Sequence, residues 1–288
     1  MYKETKLVIN NNKLIGKKIL VISDIHYSGK KDNKKLDKLY DVLISYNPNY
    51  ICIPGDIIDD VNMKDKDYLF DFLKRLGKVS TVIMSLGNHD LRSGKKREKY
   101  VNYIDKDYIN ELNNIDNVYL LNNSDKSFKD IYFFGYTQGF DYYYKKGFED
   151  KDIMKKELVK YNVCNDNLAN YRVLLMHSPI CLIDEEIRKK LESYDLILCG
   201  HTHNGLMPPI LDELINNNIG LIGPHKTLFP KYARGIIKNK NVLVISSAIT
   251  KLSNNSAKFL RIFNFIFPSG INVIEFGETE SKKIKYFM

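Results

Sequence analysis

The chain has 288 residues, enough to bury a substantial core in one large domain or two small ones. Its hydrophobic content of 44% and charged content of 27% are ordinary for a soluble globular enzyme. The formal net charge of +9 suits anionic partners such as phosphorylated substrates, nucleic acid or an acidic membrane surface. Because the basic residues are scattered along the chain, a solvated basic surface is the favoured explanation of this charge.

Targeting and cysteine signals point to a cytoplasmic enzyme. Residues 1–10 carry charges and contain no apolar core segment, so we expect no secretory signal. No apolar stretch approaches the ~20 residues that a membrane-spanning helix needs. The four cysteines lack C-x-x-C spacing, which favours buried reduced thiols over a disulfide or a zinc knuckle.

Strands and helices alternate along the predicted chain. Residues 7–10 and 14–16, separated by two asparagines and a lysine, predict a hairpin. Short apolar runs predict buried strands at 18–23, 50–54, 80–85, 131–135, 172–176, 195–199 and 241–246. Apolar residues spaced by three and four predict helices at 36–46, 68–76 and 184–193. This alternation indicates an α/β architecture, and since no linker or internal repeat is visible, we interpret residues 1–288 as a single domain.

Potential metal ligands follow five of these apolar runs directly. They are Asp24 and His26, then Asp56 with Asp59 and Asp60, then Asn88, His89 and Asp90, then His177, and finally His201 and His203. Ligands in α/β folds gather at the carboxyl ends of strands, so we expect these five loops to converge. Mixed imidazole and carboxylate ligands favour zinc, manganese or iron over magnesium and calcium. Each motif alone is weak, but their joint occurrence after apolar runs is hard to reconcile with chance.

Together the motifs resemble the signature of calcineurin-like metallophosphoesterases. The pattern is D-x-H at 24–26, G-D-x-x-D at 55–59, G-N-H-D at 87–90, a single histidine at 177, and G-H-x-H at 200–203. This resemblance implies a four-layer α/β/β/α sandwich with two mixed β-sheets flanked by helices. Gly205 and the segments 232–235 and 244–247 resemble a bacterial branch that reads G-H-T-H-G-G, although Asn204 stands where that branch has glycine.

The resemblance also implies a role for each motif residue. Asp24, His26 and His203 would hold a first metal ion, Asn88, His177 and His201 a second, and Asp56 would bridge both through its two carboxylate oxygens. His89 would face the leaving group as the general acid, with Asp90 orienting it. The implied cofactors are two divalent or trivalent ions of manganese, iron or zinc, with manganese favoured.

The function implied is hydrolysis of a phosphomonoester, phosphodiester or pyrophosphate by a metal-bridging hydroxide. The expected substrate is a phosphorylated small molecule or a lipid, and no obligate protein partner is implied. Two alternatives stay open. A nuclease is favoured by the net charge but lacks a recognisable DNA-recognition segment. A catalytically silent scaffold would be expected to lose ligands, and the full ligand set is present here.

Several features outside the motifs have two interpretations each. Asp59 is either a partner of a metal ligand or a turn residue. Arg92 and the basic residues at 95–97 bind a second phosphate or form a solvated loop, and the second is favoured. His225 is a solvated loop residue or a substrate contact, and the aromatic run 140–144 is a core edge or a stacking surface. The segment 258–268 packs on the core or rests on a lipid surface, which would place the enzyme peripherally at the inner membrane face.

Overall fold

Two stacked β-sheets form the centre of this computed structural model, and helices cover both outer faces. The structure describes residues 2–93, 101–102, 104–164, 171–208, 211–212, 215, 217–250 and 267–287. Residues 258–266 of the segment predicted to contact the core or a lipid surface, and the basic residues 95–97, lie outside these ranges. No helix within the described residues is long and apolar enough to cross a bilayer.

The elements alternate along the chain as predicted. The strands are β1 Tyr2–Asn10, β2 Lys18–Val21, β3 Tyr50–Pro54, β4 Thr81–Ser85, β5 Arg92–Ser93, β6 Val101–Asn102, β7 Val118–Leu120, β8 Ser124–Ser127, β9 Tyr132–Tyr136, β10 Arg172–Met176, β11 Leu196–Cys199, β12 Gly235–Lys238, β13 Val242–Ile245, β14 Ser269–Gly277 and β15 Ser281–Phe287. The helices are α1 Asn33–Ser45, α2 Asp67–Val79, α3 Lys106–Asn113, α4 Phe140–Tyr144, α5 Lys151–Lys160 and α6 Glu185–Lys190.

Both large sheets are mixed. The first has the order β15-β1-β14-β2-β3-β4-β7, and the second has the order β12-β13-β11-β10-β9-β8. Strands β2, β3 and β4 run parallel, as do β9, β10, β11 and β13 in the second sheet. Parallel strands end at the same edge of a sheet, so the loops that follow them lie side by side.

Three apolar clusters define four layers. One cluster packs α1, α2 and α3 on the outer face of the first sheet, and another packs α4, α5 and α6 on the second. The third lies between the sheets and joins Val21 and Cys52 of the first to Val173 and Leu198 of the second. These clusters confirm the predicted α/β/β/α sandwich with two mixed sheets flanked by helices. The assignment of residues 1–288 to one domain stays a prediction.

The hairpin predicted at residues 7–16 is wrong. Strand β1 pairs with β14 and β15, and β14 separates β1 from β2 within the sheet. Residues 11–16 form a turn instead of a strand, and Leu14 is buried in the cluster between the sheets. The asparagines therefore end β1 as expected, but its partner strand comes from the far end of the chain. The apolar runs predicted as strands and the three predicted helices are confirmed, with ends that differ by at most three residues.

Candidate metal centre

The predicted carboxylate and imidazole ligands meet where β2, β3, β10 and β11 end. Three groups have ligand atoms within 4.8 Å of one another: Asp24, His26 and His203; His26, Asp56 and His89; and Asp56, His177 and His201. The groups share members, because His26 belongs to the first two and Asp56 to the last two. The structure thus brings together residues that lie up to 179 positions apart in a continuous cluster.

The first group packs a carboxylate against two imidazoles. Asp24 Oδ1 lies 3.2 Å from His203 Nε2, and His26 Nε2 lies 3.4 Å from the same nitrogen. Burial, followed by the neighbouring His89, lowers the pKa of His26 to about 3. Its imidazole is therefore neutral near pH 7. A neutral imidazole offers the lone pair that a metal ion needs.

Asp56 belongs to both the second and the third group. Its Oδ2 lies 3.1 Å from His177 Nε2 and 3.6 Å from His26 Nε2, so one oxygen faces both groups. Its Oδ1 instead accepts a hydrogen bond from the His89 amide at 2.8 Å. Burial would raise the pKa of Asp56, but His177 and His89 outweigh burial and hold the pKa well below its usual range. The family pattern implied a bridge through both oxygens, whereas the geometry presents Oδ2 to both groups.

Two buried polar atoms show that this side-chain set suits cations. His177 Nδ1 donates to the Pro54 carbonyl at 2.8 Å, and Asn88 Nδ2 donates to Tyr144 Oη at 3.0 Å. Asn88 Oδ1 makes no hydrogen bond with the described residues, and His177 Nε2 makes none of good geometry but faces the Asp56 carboxylate at 3.1 Å. Buried polar atoms are normally satisfied, so a nitrogen and an oxygen lone pair left here fit a bound metal ion.

Two glycines allow the loops to approach the carboxylates. A Cβ at Gly87 would lie 2.3 Å from Asp56 Oδ1, and a Cβ at Gly200 would lie 2.5 Å from Asp24 Oδ2. Any side chain at either position would displace a carboxylate from the cluster. This close approach explains why both motifs place glycine directly before their polar residues.

His89 lies beside the ligand cluster with its ring held from two sides. Its Nδ1 donates to the Asp59 carbonyl at 2.9 Å, and Nε2 lies 4.0 Å from Asp56 Oδ2. Arg92 Nη2 lies 2.6 Å from Nε2 and 2.8 Å from Nδ1, and because a guanidinium only donates, Nε2 accepts in this contact. Asp59 Oδ1 lies 3.3 Å from His89 Nδ1 and 3.7 Å from His26 Nδ1 but forms no hydrogen bond with the described residues, so its role as partner of a metal ligand stays a prediction.

Asp90 contacts the backbone instead of the His89 ring. Its carboxylate accepts hydrogen bonds from the amides of Gly87 at 2.8 Å and Ile57 at 3.1 Å, and also from Ile58. These bonds tie the Gly-Asn-His-Asp loop to the loop after β3. The described contacts that orient His89 come from Asp59 and Arg92. A direct orienting role for Asp90 stays a prediction.

Sequence reasoning missed or misjudged four residues around the cluster. Glu149 Oε1 lies 2.7 Å from His201 Nε2, and no motif near Glu149 signals this contact. Tyr144 in α4 contacts Asn88 through its hydroxyl, although its aromatic run gave only a weak hint of a site. Arg92 was favoured as part of a solvated basic loop, but it is buried against His89. His225 lies 3.3 Å from Glu149 Oε2, which links that loop to the site.

The fold and the site together define a class of protein: a four-layer α/β/β/α sandwich whose strand ends can hold two metal ions. A family model described as calcineurin-like phosphoesterase matches residues 17–205, which is more than half of the chain. The chain therefore belongs to the calcineurin-like phosphoesterase family. Its membership of the G-H-T-H-G-G branch stays a prediction.

Relatives with curated names are distant in sequence. The chain is 27% identical over 194 residues to an uncharacterized metallophosphoesterase, Cj0846, of Campylobacter jejuni, a match covering 67% of this chain and 46% of the relative. It is 28% identical over 215 residues to the DNA double-strand break repair protein Mre11 of Nanoarchaeum equitans, covering 64% and 57%. The chain thus spans about half the length of these relatives.

Two solved structures are also similar. The NAD nucleotidase of Haemophilus influenzae matches with a TM-score of 0.40 and 14% identity, covering 81% of this chain and 45% of that one. The purple acid phosphatase PPD1 of yellow lupin (Lupinus luteus) matches with a TM-score of 0.36 and 12% identity, covering 65% and 38%.

Proposed function

We propose that this chain is a dinuclear metal-dependent hydrolase of phosphoric esters or anhydrides. The observation that carries the proposal is the position of Asp56 Oδ2, 3.1 Å from His177 Nε2 and 3.6 Å from His26 Nε2. A carboxylate oxygen that lies between histidines of two ligand groups is the arrangement expected of a ligand shared by two metal ions. Two bound ions would supply Lewis acidity and an activated water as the nucleophile.

The chain offers ligands for both ions. One ion would be held by Asp24, His26 and His203, the other by Asn88, His177 and His201, and Asp56 would contact both. The mixture of imidazole nitrogens with carboxylate and amide oxygens suits manganese, iron or zinc, and we favour manganese.

Two side chains beside the ligand cluster, His89 and Arg92, would protonate and bind the substrate. The Nδ1 proton of His89 is committed to the Asp59 carbonyl, which leaves Nε2 as the atom on the Asp56 side. In the structure Nε2 accepts from Arg92 Nη2 at 2.6 Å, so His89 would act as the general acid once Arg92 turns to the substrate phosphate and Nε2 takes up a proton from solvent. That proton would then pass to the leaving oxygen, and such general acid assistance contributes about 10²–10⁴-fold. The Arg92 guanidinium beside this nitrogen offers planar donors that match phosphate oxygens. We therefore propose a phosphorylated small molecule or lipid as the substrate.

Hydrolysis of a chromogenic aryl phosphodiester in the presence of manganese tests the proposal. We expect the wild-type protein to be active and Asp56→Asn to be inactive, because the amide cannot serve as a charged ligand to both ions. Asp125→Asn is the matched control, since Asp125 is exposed on β8 and lies outside the site. The same assay with aryl monoesters and pyrophosphates ranks the substrate classes. A wild-type protein that binds two ions and hydrolyses none of them would instead be a scaffold.

A nuclease is the second candidate function. The similarity to Mre11 and the net charge of +9 favour it. A nuclease would degrade DNA with manganese, and its DNA binding would weaken steeply as salt rises. Absence of salt-dependent DNA binding, together with hydrolysis of small phosphodiesters, would exclude this candidate.

A further inference from the structure

Glu149 is a buried carboxylate next to the metal centre that no motif includes. It follows α4 and directly precedes Asp150, whose side chain caps the first turn of α5. The Asp150 amide also bonds the Tyr142 carbonyl at 3.0 Å, so the backbone around Glu149 is anchored at both helices. The Glu149 side chain is only 3% exposed. A carboxylate buried to this degree requires partners, and two histidines provide them.

The two oxygens of Glu149 contact two different histidines. Oε1 lies 2.7 Å from His201 Nε2, and Oε2 lies 3.3 Å from His225 Nε2. An ionised carboxylate only accepts hydrogen bonds, so His201 Nε2 must carry the proton in this contact. The nitrogen of His201 that keeps its lone pair is then Nδ1.

Glu149 stands behind His201 and outside the ligand cluster. Among the described residues, His201 groups with Asp56 and His177 as a potential ligand, and Glu149 belongs to none of the three groups. The rings of His177 and His201 lie 5.0 Å apart, edge to face. His201 therefore has one nitrogen for the cluster and the other for Glu149.

We infer that Glu149 is a positioning residue for the metal ion held by Asn88, His177 and His201. It keeps His201 in the tautomer that presents Nδ1 to the cluster, and through His225 it fastens the loop around residues 224–226 to the same centre. The inference rests on the proposed metal centre. A carboxylate behind a ligating histidine fixes the ring and increases its basicity, and its removal lowers metal affinity by about 10–100-fold.

His177 provides an internal contrast to His201. Its outer nitrogen donates to the backbone carbonyl of Pro54, which no side-chain substitution removes. The outer hydrogen bond of His201 depends on the Glu149 side chain instead. The ion that shares these two histidines is therefore sensitive to residue 149.

Calorimetric titration of the metal-free full chain with Mn²⁺ tests the inference. We expect Glu149→Ala to weaken one of two binding events by about 10–100-fold and to leave the other unchanged. Glu149→Gln keeps the side-chain volume and an acceptor oxygen, so its loss should be smaller. His225→Ala is the matched control, because it removes a Glu149 partner without touching His201, and it should retain both affinities.

A tautomer measurement keeps the test independent of metal binding. Nitrogen NMR of the metal-free protein should show His201 protonated at Nε2 in the wild type, and a shift towards Nδ1 protonation in Glu149→Ala. Unchanged affinity for both ions in Glu149→Ala would overturn the inference. So would an equal loss at both sites accompanied by a lower melting temperature, since that pattern indicates a structural role only.

These outcomes are distinct from a failure of the proposed function. A wild-type protein that binds two ions but hydrolyses no phosphoester overturns the function, while the contrast between Glu149→Ala and His225→Ala still decides the role of Glu149. A wild-type protein that binds no ion overturns both.

Discussion

The two proposed ion positions are built differently. At the position formed by Asn88, His177 and His201, the outer atom of each ligand has a fixed partner, namely the Tyr144 hydroxyl, the Pro54 carbonyl and the Glu149 carboxylate. At the other position Asp24 accepts hydrogen bonds from Ser23 Oγ and from the His201 amide, but His26 Nδ1 lies 3.7 Å from Asp59 Oδ1 and makes no hydrogen bond with the described residues. The two positions therefore differ at their imidazoles, because His177 and His201 each have an outer hydrogen-bond partner whereas His26 Nδ1 has none among the described residues.

This difference has a consequence for metal affinity. A ligand whose ring or amide is already oriented loses less conformational freedom when an ion binds. We therefore expect the ion at Asn88, His177 and His201 to bind more tightly than the ion at Asp24, His26 and His203. Measurements on three sets of variants would contradict or refine this comparison.

The largest effect should come from removing one ligand from each position. His203→Ala and Asn88→Ala should each retain one ion and lose hydrolysis, because in-line displacement needs both ions. The ion that remains in His203→Ala should survive dialysis better than the ion that remains in Asn88→Ala. Metal analysis after dialysis measures this, and the reverse order of retention would contradict the comparison.

The next effect concerns catalysis without loss of metal. His89→Ala should lower kcat by about 10²–10⁴-fold, with the largest loss for esters that have poor leaving groups. Both ions should remain bound, because His89 is assigned to the leaving group and not to an ion. Loss of an ion in metal analysis would instead make His89 a ligand, as its proximity to His26 and Asp56 also allows.

The smallest effect on metal affinity should come from residues that contact the ligands but not the ions. Tyr144→Phe removes the hydroxyl that accepts from Asn88 Nδ2 and should weaken one ion by about 10-fold, the low end for outer partners of ligands. Asp59→Asn should change metal affinity less, since its carboxylate lies 3.7 Å from His26 Nδ1. Calorimetric titration compares the two variants. A larger loss of metal affinity in Asp59→Asn than in Tyr144→Phe would contradict the comparison, because it would show that the ion held by His26 depends on the Asp59 carboxylate.

Local sequence pattern was sufficient for much of the site. Asp24 with His26, and His201 with His203, are two residues apart at the end of an apolar run, so each pair can enter one pocket. The apolar runs themselves predicted the strands that carry these pairs. Short-range spacing and strand propensity act within a few residues, which is why the sequence reveals them.

Pairing and packing between distant segments were not predictable in the same way. The asparagines after β1 signalled a turn, but the partners of β1 are β14 and β15, more than 250 residues away. Nothing in the sequence indicated that the Asp90 carboxylate accepts hydrogen bonds from the amides of Ile57 and Ile58, more than 30 residues earlier in the chain. A residue can pair with a segment nearby in sequence or with one that is distant in sequence, and only the folded structure shows which pairing forms.

The sequence by itself determined the α/β order of the chain, the family pattern and the set of candidate ligands, because these depend on residue type and local spacing. The tertiary structure alone decided which oxygen of Asp56 faces both ligand groups, and that Glu149 stands behind His201 from 52 positions away. These contacts depend on how α4, α5 and the two sheets pack. Hydrophobic periodicity predicts helices and strands, but it does not predict hydrogen bonds between segments that come into contact only when the layers pack together.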